Sequence, residues 1–269
     1  STVLIMYDYE RDQKQKPKLD VRLFEFLSFT PAQIVIFSFL GLIFLGTFLL
    51  MLPVSSATEK GLSFIDAFFQ VTSASCVTGL TTINVGTKLS LFGQVILLFC
   101  MQIGGISIMT LYSSMAMLLG RSIRMKDRVI LTDMLEVDST GELQEMIIKI
   151  VKYTFIIELW GAILLTVGWA MDGVEFTQAL YYGFFHSISA FCNAGFTLFD
   201  NSLENFTTRP LIAITIAVLA ILGGIGFIVL RELGDLVSRK KKLIRLSLHF
   251  KVVTITTLCL LAAGTVFFF

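Results

Sequence analysis

Along the chain, the pattern of apolar and polar positions changes at residue 31. Before it, Asp8, Glu10, Arg11, Asp12, Lys14, Lys16 and Lys18 interrupt every apolar run. Residues 1–30 therefore predict a polar N-terminal arm, disordered to about Asp20 on composition. With no apolar run after a basic start, this arm does not read as a cleavable signal peptide. From 31 onward long apolar stretches dominate. A bilayer-crossing helix needs about 20 mostly apolar residues, and 31–52, 89–119, 210–230 and 247–269 meet that length. Residues 147–170 predict a fifth span, with Lys149 and Lys152 near one end, where they can snorkel, and Glu158 at its middle.

Two further apolar segments, about 61–80 and 175–196, lie between spans that already run in opposite directions. If either crossed fully, the later basic loops would change sides. Each is therefore predicted to be re-entrant, a short helix that dips in and a loop that climbs back. Irregular backbone at membrane depth persists only where protein or a water-filled cavity satisfies its polar groups, so such loops suggest a pore. With five spans, 18 of the 21 Lys and Arg fall on one side and only Lys60, Lys88 and Arg209 on the other. The positive-inside rule then sets the N-terminus and the basic loops in the cytoplasm.

The chain also repeats itself. At an offset of 116, FFQVTSASCVTGL (68–80) matches FFHSISAFCNAGF (184–196) at six of thirteen positions. At an offset of 119, QIGGISI (102–108) lies against ILGGIGF (221–227), and each is followed by a basic loop. The repeating unit is span, pore helix, loop, span, present twice, with 247–269 as the first span of a third copy. The predicted organisation is thus an N-terminal arm (1–30), a first membrane repeat (31–120), a cytoplasmic linker helix (121–146), a second repeat (147–237), and a basic loop with a further span (238–269). The fold class is all-α, a polytopic membrane protein.

Each re-entrant segment ends in a short stretch containing one glycine: Cys76, Val77, Thr78, Gly79 and Leu80, then Cys192, Asn193, Ala194, Gly195 and Phe196. Glycine lets a backbone aim its carbonyls along φ values that other residues resist, and rings of carbonyls can replace the water around an alkali cation. A tight turn alone would also explain either glycine. Recurrence at one topological position favours the filter. The C-terminal, negative ends of both pore helices would face the same central point. In the outer loops Glu59, Asp66, Asp172, Glu175, Asp200 and Glu204 outnumber three cations, a field that either gathers cations or is merely a solvated acidic face.

Composition narrows the classes. The chain is 55% hydrophobic and 15% charged, with a mean hydropathy of +0.81, far from a soluble domain, which is roughly a quarter charged. A net charge of +1 leaves no whole-chain case for nucleic acid. Cys76, Cys100, Cys192 and Cys259 lie in apolar stretches without metal-site spacing and are expected to be small buried hydrophobes. Neither HExxH nor GxxxxGK occurs, and no span clusters Asp with His, so an enzyme is not expected. A non-conducting scaffold remains the other class, and it would tolerate loss of both loop glycines.

Several residues carry two readings. Glu158 in mid-span either binds a cation and stabilises a pore helix or is hydrogen-bonded to a neighbouring helix; the structural role is preferred. His186 in the second pore helix either titrates near the loop or donates to a backbone carbonyl, and the structural reading is again preferred. Gly104, Gly105, Gly223, Gly224 and Gly226 serve close helix packing or hinging, packing being preferred. The basic loops 121–128 and 239–245 are positive-inside signals that also face any cytoplasmic partner. Between the first of them and the fifth span, 131–146 predicts a short helix broken at Gly141.

The loops SASCVTGLTT and FHSISAFCNAGFTLFDNSL, with the GGI and GGIGF helices after them, resemble the potassium-translocating subunits of the Trk/Ktr/HKT superfamily, most nearly the Ktr-type membrane subunit. The resemblance runs from about 29 to 269. It implies that Cys76, Val77, Thr78 and Gly79, with Cys192, Asn193, Ala194 and Gly195, occupy filter positions that hold K+ through backbone carbonyls. It further implies potassium uptake across the bacterial cytoplasmic membrane, Na+ as a coupling or activating ion, a homodimer in membrane lipid, and a cytoplasmic nucleotide-binding regulatory subunit. Family members carry four repeats around one pore, whereas this chain has two and the beginning of a third. It is therefore expected to be the first part of a longer protein, the alternative being a two-repeat channel subunit that completes its pore by dimerisation.

Overall fold

The computed structural model describes residues 31–58, 60–106, 140–237 and 246–268. The polar arm, Glu59, the basic loops 121–128 and 239–245, and the end of the stretch 89–119 lie outside the described residues. Every regular element within them is helical. The first repeat comprises α1 (Pro31–Met51), α2 (Phe64–Ser75), the single turn α3 (Val85–Lys88) and α4 (Leu91–Ile106). The second comprises α5 (Thr140–Met171), α6 (Phe176–Phe191), α7 (Pro210–Gly224) and α8 (Phe227–Val237), and α9 (Leu248–Phe268) follows.

At about 1.5 Å per residue, the 12 residues of α2 and the 16 of α6 are too short to cross a bilayer. Each nevertheless buries its polar face. Gln70, Ser73 and Ser75 on α2, and His186, Ser187 and Ser189 on α6, are all buried. The helices around them have the opposite arrangement. Phe37, Phe44 and Phe48 on α1, and Phe155, Leu159 and Trp160 on α5, are exposed. Polar inside and apolar outside is the pattern of a chain whose solvent is lipid.

Local chemistry starts and stops these elements. Ser63 caps α2 reciprocally: its hydroxyl accepts from the Asp66 N–H (3.1 Å) and donates to Asp66 Oδ2 (2.7 Å). Pro210 opens α7, where a missing N–H costs nothing. The two repeats share one core: Val71 and Ala74 of α2 and Leu97 and Met101 of α4 pack with Phe185, Cys192, Ala194 and Phe196 of the second repeat. A second cluster, including Leu165, Trp169, Ile212 and Leu219, lies within the second repeat.

Two expectations need correction. The apolar run 210–230 is not one straight span: α7 ends at Gly224 and α8 leaves at 111°, through Gly226 at φ +91°. Hydropathy cannot see this, because both arms of the bend are apolar. Tyr153 of α5 fills the space against Gly234 of α8, and Glu232 Oε2 accepts the Ser247 N–H (3.0 Å) at the start of α9. Of the helix expected over 131–146, residues 131–139 lie outside the described residues, and from Thr140 the chain is helical to Met171 as α5. Finally, Cys100 and Cys192 are buried, but Cys76 and Cys259 are exposed.

Candidate functional site: two equivalent re-entrant loops

Both re-entrant helices end in the same hydrogen-bond pattern. After α2, the Val77 N–H donates to the Ala74 carbonyl (3.3 Å) and the Thr78 N–H to Ser73 (2.9 Å). After α6, the Asn193 N–H donates to Ala190 (3.0 Å) and the Ala194 N–H to Ser189 (2.8 Å). This paired closure is the Schellman ending, whose turning residue is left-handed and usually glycine. Here it is Val77 and Asn193, both at φ 57°. Asparagine tolerates that region; a β-branched valine does not, at a cost on the order of 1–3 kcal/mol.

Two residues on, Gly79 (φ +76°) and Gly195 (φ +70°) turn the chain again. These glycines meet. A Cβ on Gly79 would stand 2.6 Å from the Ala194 carbonyl oxygen, and one on Gly195 would stand 3.4 Å from the Gly79 Cα. Gly79 cannot take a side chain without moving the other loop, whereas at Gly195 a Cβ would make ordinary contact and it is the left-handed φ that disfavours one. Of the expected residues 76 to 79 and 192 to 195, Gly79 is thus brought against Ala194 and Gly195. Cys76 is exposed, whereas Cys192 and Ala194 are buried.

The helices that follow each loop press on it through glycine. Gly104 of α4 faces the Ser75 carbonyl and Gly223 of α7 faces the Phe191 carbonyl, each too close to admit a Cβ. Ser75 and Phe191 are corresponding last residues of α2 and α6. At both positions glycine permits contact, in line with the packing reading.

The loops also lock across the repeat boundary. Asn84 Nδ2 donates to Asp200 Oδ1, Tyr181 O–H donates to Gln94 Oε1 (2.6 Å), and Gln94 Nε2 donates to the Leu89 carbonyl (3.0 Å). Beside the glycines lies an open polar cavity of about 330 Å³ lined by Gly79, Thr81, Asn84, Gly195, Thr197 and Asp200 among others. Of the acidic residues expected in the outer loops, Asp200 lines this cavity, and Asp172 pairs with Arg209 (3.1 Å). Asp66 caps α2 and accepts from Thr82 Oγ1 (3.0 Å). The Ser63 and Thr82 hydroxyls hold its carboxyl below the ordinary aspartate range.

Glu158 stands apart from the loops. It is 5% exposed, and its two carboxylate oxygens accept from Gln102 Nε2 of α4 at 2.9 and 3.2 Å. Its backbone carbonyl accepts from Ser187 Oγ of α6 (2.6 Å). It thereby joins α5 to the first repeat and to the second re-entrant helix. His186 donates from Nδ1 to the Tyr182 carbonyl (2.8 Å), as the structural reading expects. Sequence reasoning passed over Gln70, Asn84 and Gln102, whose partners are remote in sequence. The offset of 116 also pairs Asn84 with Asp200.

The geometry defines a class: an all-helical integral membrane protein in which two equivalent re-entrant loops, backbone to backbone, form the centre. The TrkH family model, described as cation transport protein, matches residues 13–269, so the chain belongs to the TrkH cation transport family, which comprises transporters and not enzymes. The Ktr system potassium uptake protein B of Vibrio alginolyticus is 37% identical over 237 residues, covering 88% of this chain and 51% of that protein. Its namesake in Bacillus subtilis (strain 168) is 35% identical over 248 residues, covering 91% and 54%. The potassium/sodium uptake protein NtpJ of Enterococcus hirae is 33% identical over 245 residues, covering 89% and 52%. The chain spans about half the length of these relatives.

Proposed function

We propose that this chain supplies two of the filter loops of a potassium-uptake pore, with K+ passing through backbone carbonyls of residues 76 to 79 and 192 to 195. The observation that carries this reading is the common path of the two loops, left-handed at 77 and 193 and again at 79 and 195, meeting at their glycines. Carbonyls ordered in this way can stand in for water around a cation that moves passively. The helix ends behind them add a negative dipole without an acidic side chain.

Na+ serves as a coupling or activating ion in this reading, in keeping with the potassium/sodium relative. The remaining loops come from further repeats, in keeping with relatives of about twice the length. The basic loops put the N-terminus in the cytoplasm, on the side where a nucleotide-binding regulatory subunit docks, and the membrane subunit pairs as a dimer.

The test is rubidium uptake by potassium-uptake-deficient cells producing the protein that carries this chain, against Gly79→Asp and Gly195→Asp variants. Uptake in the parent that the folded variants lose supports the filter. Folded variants that take up rubidium at the parental rate overturn it. Exposed Cys76 gives a readout that leaves the fold intact. In a Cys259→Ser background, a small thiol reagent should block uptake, and a Cys76→Ser variant should resist it.

A further inference from the structure

We infer that Gln70 and His186 are positioning residues that pin the climbing arm of each loop to its own re-entrant helix, and that cation discrimination depends on both pins. The inference rests on the filter reading above. In the amide orientation that satisfies its neighbours, the Gln70 side-chain oxygen accepts from the N–H groups of Thr82 (3.1 Å) and Ile83 (3.2 Å). His186 Nε2 accepts from the N–H of Leu198 (3.4 Å). Gln70 and His186 are 116 residues apart, and so are Thr82 and Leu198. An amide and an imidazole, unlike in sequence, thus do the same job at equivalent places.

Both groups are built to accept. Gln70 is fully buried and His186 is 2% exposed. Because His186 Nδ1 donates to the Tyr182 carbonyl, Nε2 carries the lone pair that the Leu198 N–H needs. The ring is clamped by Phe199 (centroids 5.0 Å, planes 16° apart) and Trp169 (4.9 Å). Thr82 has a second anchor, its hydroxyl on Asp66.

The loop needs two fixed ends. Its descending end is fixed by the Schellman bonds to Ser73 and Ser189. Gly79 and Gly195 lie between that end and the pin, at φ values with little side-chain restraint. Carbonyl direction there is set by how both ends are held, and in the second loop also by the Ser189 hydroxyl, which donates to the Phe196 carbonyl (2.7 Å). An unpinned N–H at membrane depth would seek another acceptor and carry the loop with it.

Two exchanges at one position separate the pin from the packing. His186→Gln keeps an acceptor, the one used at residue 70, and loses the ring; His186→Phe keeps the ring and loses the acceptor. The readout is the rubidium-to-sodium uptake ratio in cells making the full protein, beside Gln70→Leu. We expect His186→Gln to hold the parental ratio, and His186→Phe and Gln70→Leu to lower it roughly fivefold, about one hydrogen bond's worth. A parental ratio in His186→Phe, or an equal fall in His186→Gln, overturns the inference and leaves only an aromatic packing role. Uptake that survives Gly195→Asp would instead remove the filter reading, a result separable from either.

Discussion

Asn84 donates to Asp200 across the boundary between the repeats, and the two residues are 116 apart, the spacing that relates the repeats themselves. Equivalent positions of two copies thus touch each other, which happens only near an axis relating the copies. Both side chains also line the polar cavity beside Gly79 and Gly195. A charge-assisted bond at this place ties the two loops together beyond their glycines.

Breaking this tie should loosen the loops without unfolding the helices. Asn84→Ala and Asp200→Ala are each expected to cost about 1 kcal/mol, less than a buried bond because water reaches both. The double variant should cost little more than Asn84→Ala, which also loses the cap that Asn84 Oδ1 gives the Thr87 N–H (3.2 Å). Thermal unfolding of the four purified proteins gives the coupling energy directly. Full additivity would mean that the two side chains do not interact in solution.

Val77 should be less stable than the residue at the equivalent place. Val77→Asn copies residue 193 into the first loop and removes the clash of a β-branched side chain at φ 57°. A gain on the order of 1 kcal/mol is expected, and Asn193→Val should lose a similar amount. Opposite shifts in melting temperature check both. A loss in Val77→Asn would show that the valine side chain, packed on the shared core, outweighs its backbone strain.

Hydrophobic runs and the 116-residue repeat made the fold class and both loops legible in the sequence, because one is a property of composition and the other of self-comparison. The pins at residues 70 and 186 were not, because glutamine and histidine look unalike and their shared acceptor role exists only once the loop has climbed back. Val77 gave no signal either, since a left-handed turning residue is ordinarily marked by glycine. The bend at Gly226 was masked by apolar residues on both sides, while the neighbouring Gly223 does something else: it packs. Glu158 was visible as an anomaly, but its partner Gln102 lies 56 residues away.

Gly104 and Gly223 should behave as packing contacts. Gly104→Ala or Gly223→Ala forces a Cβ into the Ser75 or Phe191 carbonyl, and overpacking of this kind costs about 1–3 kcal/mol. Gly41→Ala in α1 is the control, since nothing lies within 4 Å of its Cβ position and alanine favours a helix by about 1 kcal/mol. Melting temperatures should fall for the first two and hold or rise for the third. Unchanged stability with altered open time in Gly104→Ala would point to a hinge.

The Glu158–Gln102 pair should matter through its hydrogen bonds more than through its charge. Glu158→Gln keeps an acceptor for Gln102 Nε2 and should fold and transport as the parent does. Glu158→Leu leaves that amide without its partner, and a buried donor with none costs about 1–3 kcal/mol. Gln102→Leu should be worse, because it strands a buried carboxyl group, and leaving such a group unpartnered costs more than leaving a neutral amide so. Replacing both by leucine removes the polar atoms together and should recover most of that loss. The ordering of the four melting temperatures is the check: if Glu158→Gln melts as low as Gln102→Leu, the negative charge itself is required at this depth, and the cation-binding reading of Glu158 returns.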